Sequence, residues 1–168
     1  MGNAQPTLRI AMQLAELLEA TQTRIVFAES CTAGLVSATL AAVPGISHWL
    51  CGSAVVYREA TKVAWLGVEE ETLRHHSAVS AEVTAELAIG VLGRTQEATL
   101  AVAVTGHLGP NAPTRQDGVI FIAVCRRGDS SEDVVSKRLQ LSSSDRIGRQ
   151  HEAAEQVIAT AIATIVGG

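Results

Sequence analysis

The sequence predicts an α/β fold built on a mixed sheet. Apolar runs of strand length, Ile25 to Ala28, Thr99 to Thr105 and Gly118 to Val124, alternate with segments whose apolar residues recur at helical spacing. The first two runs end in small, polar, glycine-containing corners, Glu29 to Gly34 and Thr105 to Gly109, where a strand hands over to a turn or helix. The last two strand-like segments, Gly118–Val124 and Val134–Leu141, are separated only by the turn Arg126–Ser131. That connection suits antiparallel neighbours, so the sheet is mixed.

Taken in order, residues 1–6 are expected to fray. From Thr7, the residues Ile10, Leu14, Leu17 and Leu18 mark an amphipathic helix with Gln13, Glu16 and Glu19 on its other side. Thr21 to Thr23 turn into the first strand, which ends at Glu29. Thr32 to Val43, dense in Ala, Gly and Ser, reads as a helix able to lie close to the sheet, and Pro44-Gly45 stops it. Trp49 to Tyr57 reads as the second strand. A short helix over Arg58–Leu66 is closed by Gly67, and a second is expected around Glu69–His76. Ser80 caps a longer helix whose inner face is Val83, Leu87 and Val91. Thr99–Thr105 is a central strand buried on both faces. Ser143 or Ser144 caps the last helix, with inner stripe Ile147, Ala154, Ile158, Ala161 and Ile165 and with Asp145 in its first turn. No internal repeat or linker interrupts this series, which reads as one domain over residues 1–168.

Composition narrows the function. Aromatics make up only 3% of the chain and its formal charge is −4, so it has few platforms for stacking bases and no basic surplus for a phosphate backbone; nucleic acid is not expected as a partner. No run is long and apolar enough to span a bilayer, and the amino end lacks the pattern of a signal peptide, so a cytoplasmic protein without a membrane partner is expected. Cys31, Cys51 and Cys125 are odd in number and form no Cys-x-x-Cys pair, which disfavours a disulfide framework and a zinc site. Trp49, Trp65 and the Ala-rich helix faces suit burial against a second copy, so a homodimer is the expected assembly.

Ser30 stands at the corner where the first strand turns. A hydroxyl there is displayed at the sheet edge, and the first N–H groups of a following helix favour an anion beside it. Ser30 or Thr32 as a plain helix cap is the commoner use of such residues, and a lysine such as Lys62 is ordinarily a solvated surface group. Because ligands gather at the carboxyl ends of strands in open α/β sheets, Glu29–Thr32 and Thr105–Gly109 are expected to share a cleft. Cys31, a thiol at a helix start, is an alternative nucleophile. His107 beside the cleft reads as a titrating group or a hydrogen-bonded wall residue.

The chain resembles the carboxyl-terminal domain family of the competence/damage-inducible protein CinA, which includes the nicotinamide mononucleotide deamidases called PncC. The carriers are Ala28-Glu-Ser-Cys-Thr-Ala-Gly34, Val43-Pro-Gly-Ile-Ser47, Tyr57 with Lys62 and Leu66-Gly-Val68, Glu71-Thr-Leu73 with His76-Ser-Ala-Val-Ser80, Ala103-Val-Thr-Gly106 with Gly109-Pro110, and Ser144-Asp-Arg146. The resemblance implies a three-layer α/β/α sandwich around a mixed, mostly parallel sheet. It also implies cofactor-free and metal-free hydrolysis of the carboxamide of nicotinamide mononucleotide, with a pyridine nucleotide as the small-molecule partner. Carried over by motif, Ser30 is the nucleophile and Lys62 its base, with Tyr57 and Thr105 as polar neighbours. Arg146 holds the phosphate, and Glu29, Cys31, Thr32, Gly34 and Gly106 are further substrate-binding positions. Two departures stand out. Ala33-Gly34 replaces a usual pair of glycines, and the loop after Thr105 loses the family's glycine-rich run and its Lys-Pro pair. Glycines let a backbone approach a phosphate closely, so the second departure bears on the substrate, with a related amidase of changed specificity or a non-catalytic nucleotide-binding module as alternatives.

Overall fold

The computed structural model describes residues 6–168. Residues 1–5 of the end expected to fray lie outside the described residues. Pro6 opens the first helix, α1 (Pro6–Thr21), where a first helical residue has no use for an N–H. There follow β1 (Ile25–Glu29), α2 (Leu35–Ala41), β2 (Leu50–Val55), α3 (Glu59–Leu66), α4 (Glu70–His76), α5 (Ala81–Arg94), β3 (Leu100–Gly106), β4 (Val119–Arg126), β5 (Val135–Gln140) and α6 (Arg146–Gly167).

The five strands form one sheet in the order β2-β1-β3-β4-β5. β2, β1 and β3 are parallel, β4 runs against β3, and β5 runs against β4. Only β4 therefore opposes the rest, which is the mixed, mostly parallel sheet of the expectation. Side chains alternate across it. Phe27, Val102, Val104 and Ile122 pack under α1, α2 and α6, while Val26, Ala28, Ala101 and Ala103 pack under α5, against which α3 and α4 lie. Each Leu, Ile, Val or Phe so buried contributes about 1.5–3 kcal/mol. Gly90 allows α5 to cross the end of α3, because a Cβ there would sit 2.1 Å from the carbonyl oxygen of Leu66.

Several points differ from the sequence reading, and α2 is one of them, running over Leu35–Ala41 rather than Thr32–Val43 because a turn through Gly34 precedes it. β2 stops at Val55, so Val56 and Tyr57 leave the sheet and their carbonyls turn towards α3. α6 is capped by Asp145, whose carboxylate accepts from the N–H of Gly148, rather than by Ser143 or Ser144. Ile147 is 70% exposed and not part of the buried stripe. It lies two turns before Ala154, where the buried face of α6, Ala154, Ile158 and Ala161, begins.

Candidate active site

Parallel pairing brings the carboxyl ends of β1, β2 and β3 to one edge, and with them Ser30, Val56-Tyr57 and Gly106. β5 runs the same way as these strands, so the chain that follows it returns to this edge and starts α6 there with Arg146. The result is a cavity of about 230 Å³ whose lining includes Ser30, Cys31, Tyr57, Lys62, Ala78, Val79, Arg146 and the segment Gly106–Ala112. Lys62, Arg146 and His107 supply its basic groups, and no acidic side chain among the described residues lines it.

At its floor Lys62, 1% exposed, donates from Nζ to Ser30 Oγ at 3.0 Å, to the carbonyl of Val56 at 2.7 Å and to that of Tyr57 at 3.4 Å. Burial pushes the amine down from 10.5 to about 8, against the smaller upward pull of Cys31 and Glu59. Arg146 is not among the groups that move it. Three neighbours match both protonation states. An ammonium has three hydrogens for three acceptors, whereas a neutral amine gives two hydrogens to the two carbonyls and keeps its lone pair for the Ser30 hydroxyl.

The other positions named from the sequence divide. Tyr57, Cys31, Gly106 and Arg146 line the cavity with Ser30 and Lys62. Glu29, Thr32, Gly34 and Thr105 do not. The Glu29 carboxylate, wholly buried, accepts from the hydroxyls of Thr32 and Ser53 and from the N–H groups of Gly34, Val36 and Ser37. It is the N-terminal anchor of α2, so the helix start expected to hold an anion is already occupied by one. Neither Ser30 nor Thr32 caps that helix. A turn over Ser30–Gly34 precedes it, and among the described residues the N–H groups of Cys31 and Thr32 have no protein acceptor. Ala33, in that turn, has φ 52°, a left-handed conformation that favours the glycine of the family pattern. Ala33→Gly is expected to raise stability by about 1 kcal/mol at most, since the freer unfolded glycine offsets part of the relief. A urea-denaturation midpoint shifted upward at unchanged slope would check this.

Around the rim Arg146 donates to the carbonyl of Gly109 and, at 2.9 Å, to the Tyr57 hydroxyl, and keeps further N–H groups uncommitted. Gly106 has no room for a side chain, because a Cβ would meet Ile120 at 2.5 Å and Cys31 Sγ at 3.0 Å. Burial pushes the Cys31 thiol up to about 12, so it stays a protonated packing group and a poor nucleophile. The rewritten loop is tied down by a two-pronged contact of Arg149 with Asp117, each bond 2.8 Å. The carbonyl partners of Lys62 escaped the sequence reading because any residue can supply a carbonyl. Ala78 and Val79 carry no polar signal, although they fall inside a motif block. Among the described residues no group of three or more His, Cys, Asp or Glu side chains could hold a metal, and no helix is long and apolar enough to cross a membrane.

The model of the CinA C-terminal domain family matches residues 7–165. This chain belongs to that family. It is 39% identical over 120 residues to a CinA-like protein of Myxococcus xanthus, a match covering 70% of this chain and 28% of that protein. It is 34% identical over 134 residues to a putative competence-damage inducible protein of Clostridium kluyveri, covering 73% and 32%. The chain thus spans about a third of the length of these curated relatives. Among solved structures it resembles the competence damage-inducible protein A (ComA) of Klebsiella pneumoniae, with a TM-score of 0.88, 28% identity, and 95% of this chain and 97% of that one covered. It also resembles the competence/damage inducible protein CihA of Agrobacterium tumefaciens, with a TM-score of 0.87, 26% identity, and 97% and 98% covered. The sheet order and its flanking helices match these CinA-family structures.

Proposed function

We propose that this CinA-family protein hydrolyses the carboxamide of nicotinamide mononucleotide to the nicotinic acid nucleotide and ammonia, with Ser30 as nucleophile and Lys62 as its base. The reading is carried by the buried amine 3.0 Å from the Ser30 oxygen, its other contacts being two carbonyls. As Ser30 Oγ attacks the carboxamide carbon, its proton passes to Lys62 Nζ, and the N–H of Cys31 supports the oxyanion. The C–N bond breaks as the nitrogen takes that proton, and ammonia leaves. Water then attacks the ester carbon, one proton returns to Ser30 through Lys62, and the carboxylate product releases the other. Arg146 and the Tyr57 hydroxyl, joined at the rim, hold the phosphate of an anionic substrate, in keeping with a cavity that no acidic side chain among the described residues lines.

Purified protein should release ammonia from nicotinamide mononucleotide. Ser30→Ala is expected to lower the rate by about 10⁴-fold or more with folding intact, while Cys31→Ala retains activity. Undiminished release in Ser30→Ala would remove Ser30 from the role. A second reading, a related amidase of changed specificity, is favoured by the wall His107–Ala112, which stands in the rewritten segment. A panel of amide-bearing nucleotides and small amides separates the two.

A further inference from the structure

Thr105 was expected beside the chemistry, yet it is wholly buried behind the cavity wall, its hydroxyl 2.8 Å from that of Thr84 on α5. Thr84, also wholly buried, gives its single hydroxyl hydrogen to the carbonyl of Ser80. Thr105 must therefore be the donor to Thr84. Ser80 in turn donates from Oγ to the carbonyl of Ser77 at 3.0 Å while accepting the N–H of Val83 at 3.2 Å. The column Thr105–Thr84–Ser80–Ser77 runs from the root of one part of the cavity lining, the segment Gly106–Ala112 that follows Thr105, to another, Ala78 and Val79, which lies between Ser77 and Ser80. Thr84 is its middle member and the link between β3 and the loop that starts α5.

The loop is held in a conformation it would not choose. Ser77 has φ 68° and ψ 165°, a region that residues with side chains avoid and that persists only where surrounding contacts over-determine it. Its carbonyl and hydroxyl are both engaged, with Ser80 and with the carbonyl of Val79.

We propose that Thr84 is a positioning residue for this site: its hydroxyl couples these two parts of the lining and so sets the width of the hollow in front of Ser30. The consequence for substrate choice rests on the amidase reading above, but the coupling itself does not. Thr84→Val keeps the shape and removes the hydroxyl, so Thr105 loses its acceptor and the Ser80 carbonyl one of its two donors, the N–H of residue 84 remaining. It is expected to raise KM for nicotinamide mononucleotide about tenfold, with the pH at which kcat is half-maximal unmoved, because Lys62 is untouched. Hydrogen exchange of the amides of Ser77 and Val83, bonded to the Leu73 carbonyl and to Ser80 Oγ, should accelerate about tenfold, out of proportion to the rest of the chain. Thr84→Ser, which retains the hydroxyl, should restore both. Exchange at Ser77 and Val83 that is unchanged, or that rises only in step with the whole molecule, would overturn the coupling. A wild-type KM in Thr84→Val with locally accelerated exchange would overturn its role in setting the site. Absence of ammonia release from the wild-type protein would instead sink the amidase reading, and exchange alone would then judge the column.

Discussion

Lys62→Met should lower ammonia release about a thousandfold or more and, at neutral pH, leave the protein more stable than the wild type. The first effect follows from removing the only amine among the described residues that is bonded to Ser30 Oγ, since general-base catalysis contributes about 10²–10⁴-fold. Lys62→Arg should fail similarly, because a guanidinium does not give up its proton in proteins. In the wild type kcat/KM should climb about tenfold per pH unit below about 8, the value to which burial lowers the amine, and level off above it. The stability effect has the same origin. Below about pH 8 Lys62 is charged in both the folded and unfolded chain, and burying that charge weakens the fold by about 3 kcal/mol, the equivalent of a fall from 10.5 to about 8. Between these values the unfolded chain binds the extra proton, so wild-type stability rises with pH and the penalty is gone above 10.5. Methionine has no such penalty, but it leaves the Val56 carbonyl without its 2.7 Å partner, which takes back about 1 kcal/mol or more. Denaturation at pH 7 and again near 10.5 should show the advantage of Lys62→Met shrinking as pH rises. A pH-independent difference would mean that the buried amine is not charged at pH 7.

Glu29→Gln, nearly identical in shape, is expected to cost about 3 kcal/mol or more, roughly a 10 °C fall in Tm. All five partners of the carboxylate are donors. Hydroxyls can rotate to accept, but backbone N–H groups cannot, and each oxygen faces at least one: Ser37 on Oε1, Gly34 and Val36 on Oε2. Whichever way the glutamine amide is turned, its NH₂ meets a fixed donor in a buried place. The same anchor holds the turn that carries Ser30, so activity should fall in step with the folded fraction. An unchanged Tm would contradict the reading of Glu29 as the anchor of α2.

Much of this fold was legible because one interaction, the burial of apolar surface, writes itself into spacing. Phe27, Val102 and Ile122 face one layer, Val26, Ala101 and Ala123 the other, as strand alternation requires. Ser80 as a cap and Gly67 as a helix stop were equally local facts, settled by residues in one turn. Ser30 and Lys62 were nameable by family likeness and by the corner that displays Ser30. Ile147 shows where spacing stops informing: it keeps the inner phase of α6 yet is 70% exposed, because whether anything covers that face is set by distant parts of the chain.

What the sequence determined, then, was the order of elements, their buried faces and the residue types able to attack an amide. Only the tertiary structure decided which of those residues meet. Glu29 and Ser30 are neighbours in the chain, yet the turn sends the carboxylate to the start of α2 and the hydroxyl to Lys62, 32 positions away. Thr105, named for the chemistry, spends its hydroxyl on Thr84. Hydrogen-bond partners and desolvation are set by the packing of distant segments, and half of the partners here are carbonyls and N–H groups that every residue type carries; no pattern of side chains along the chain encodes them.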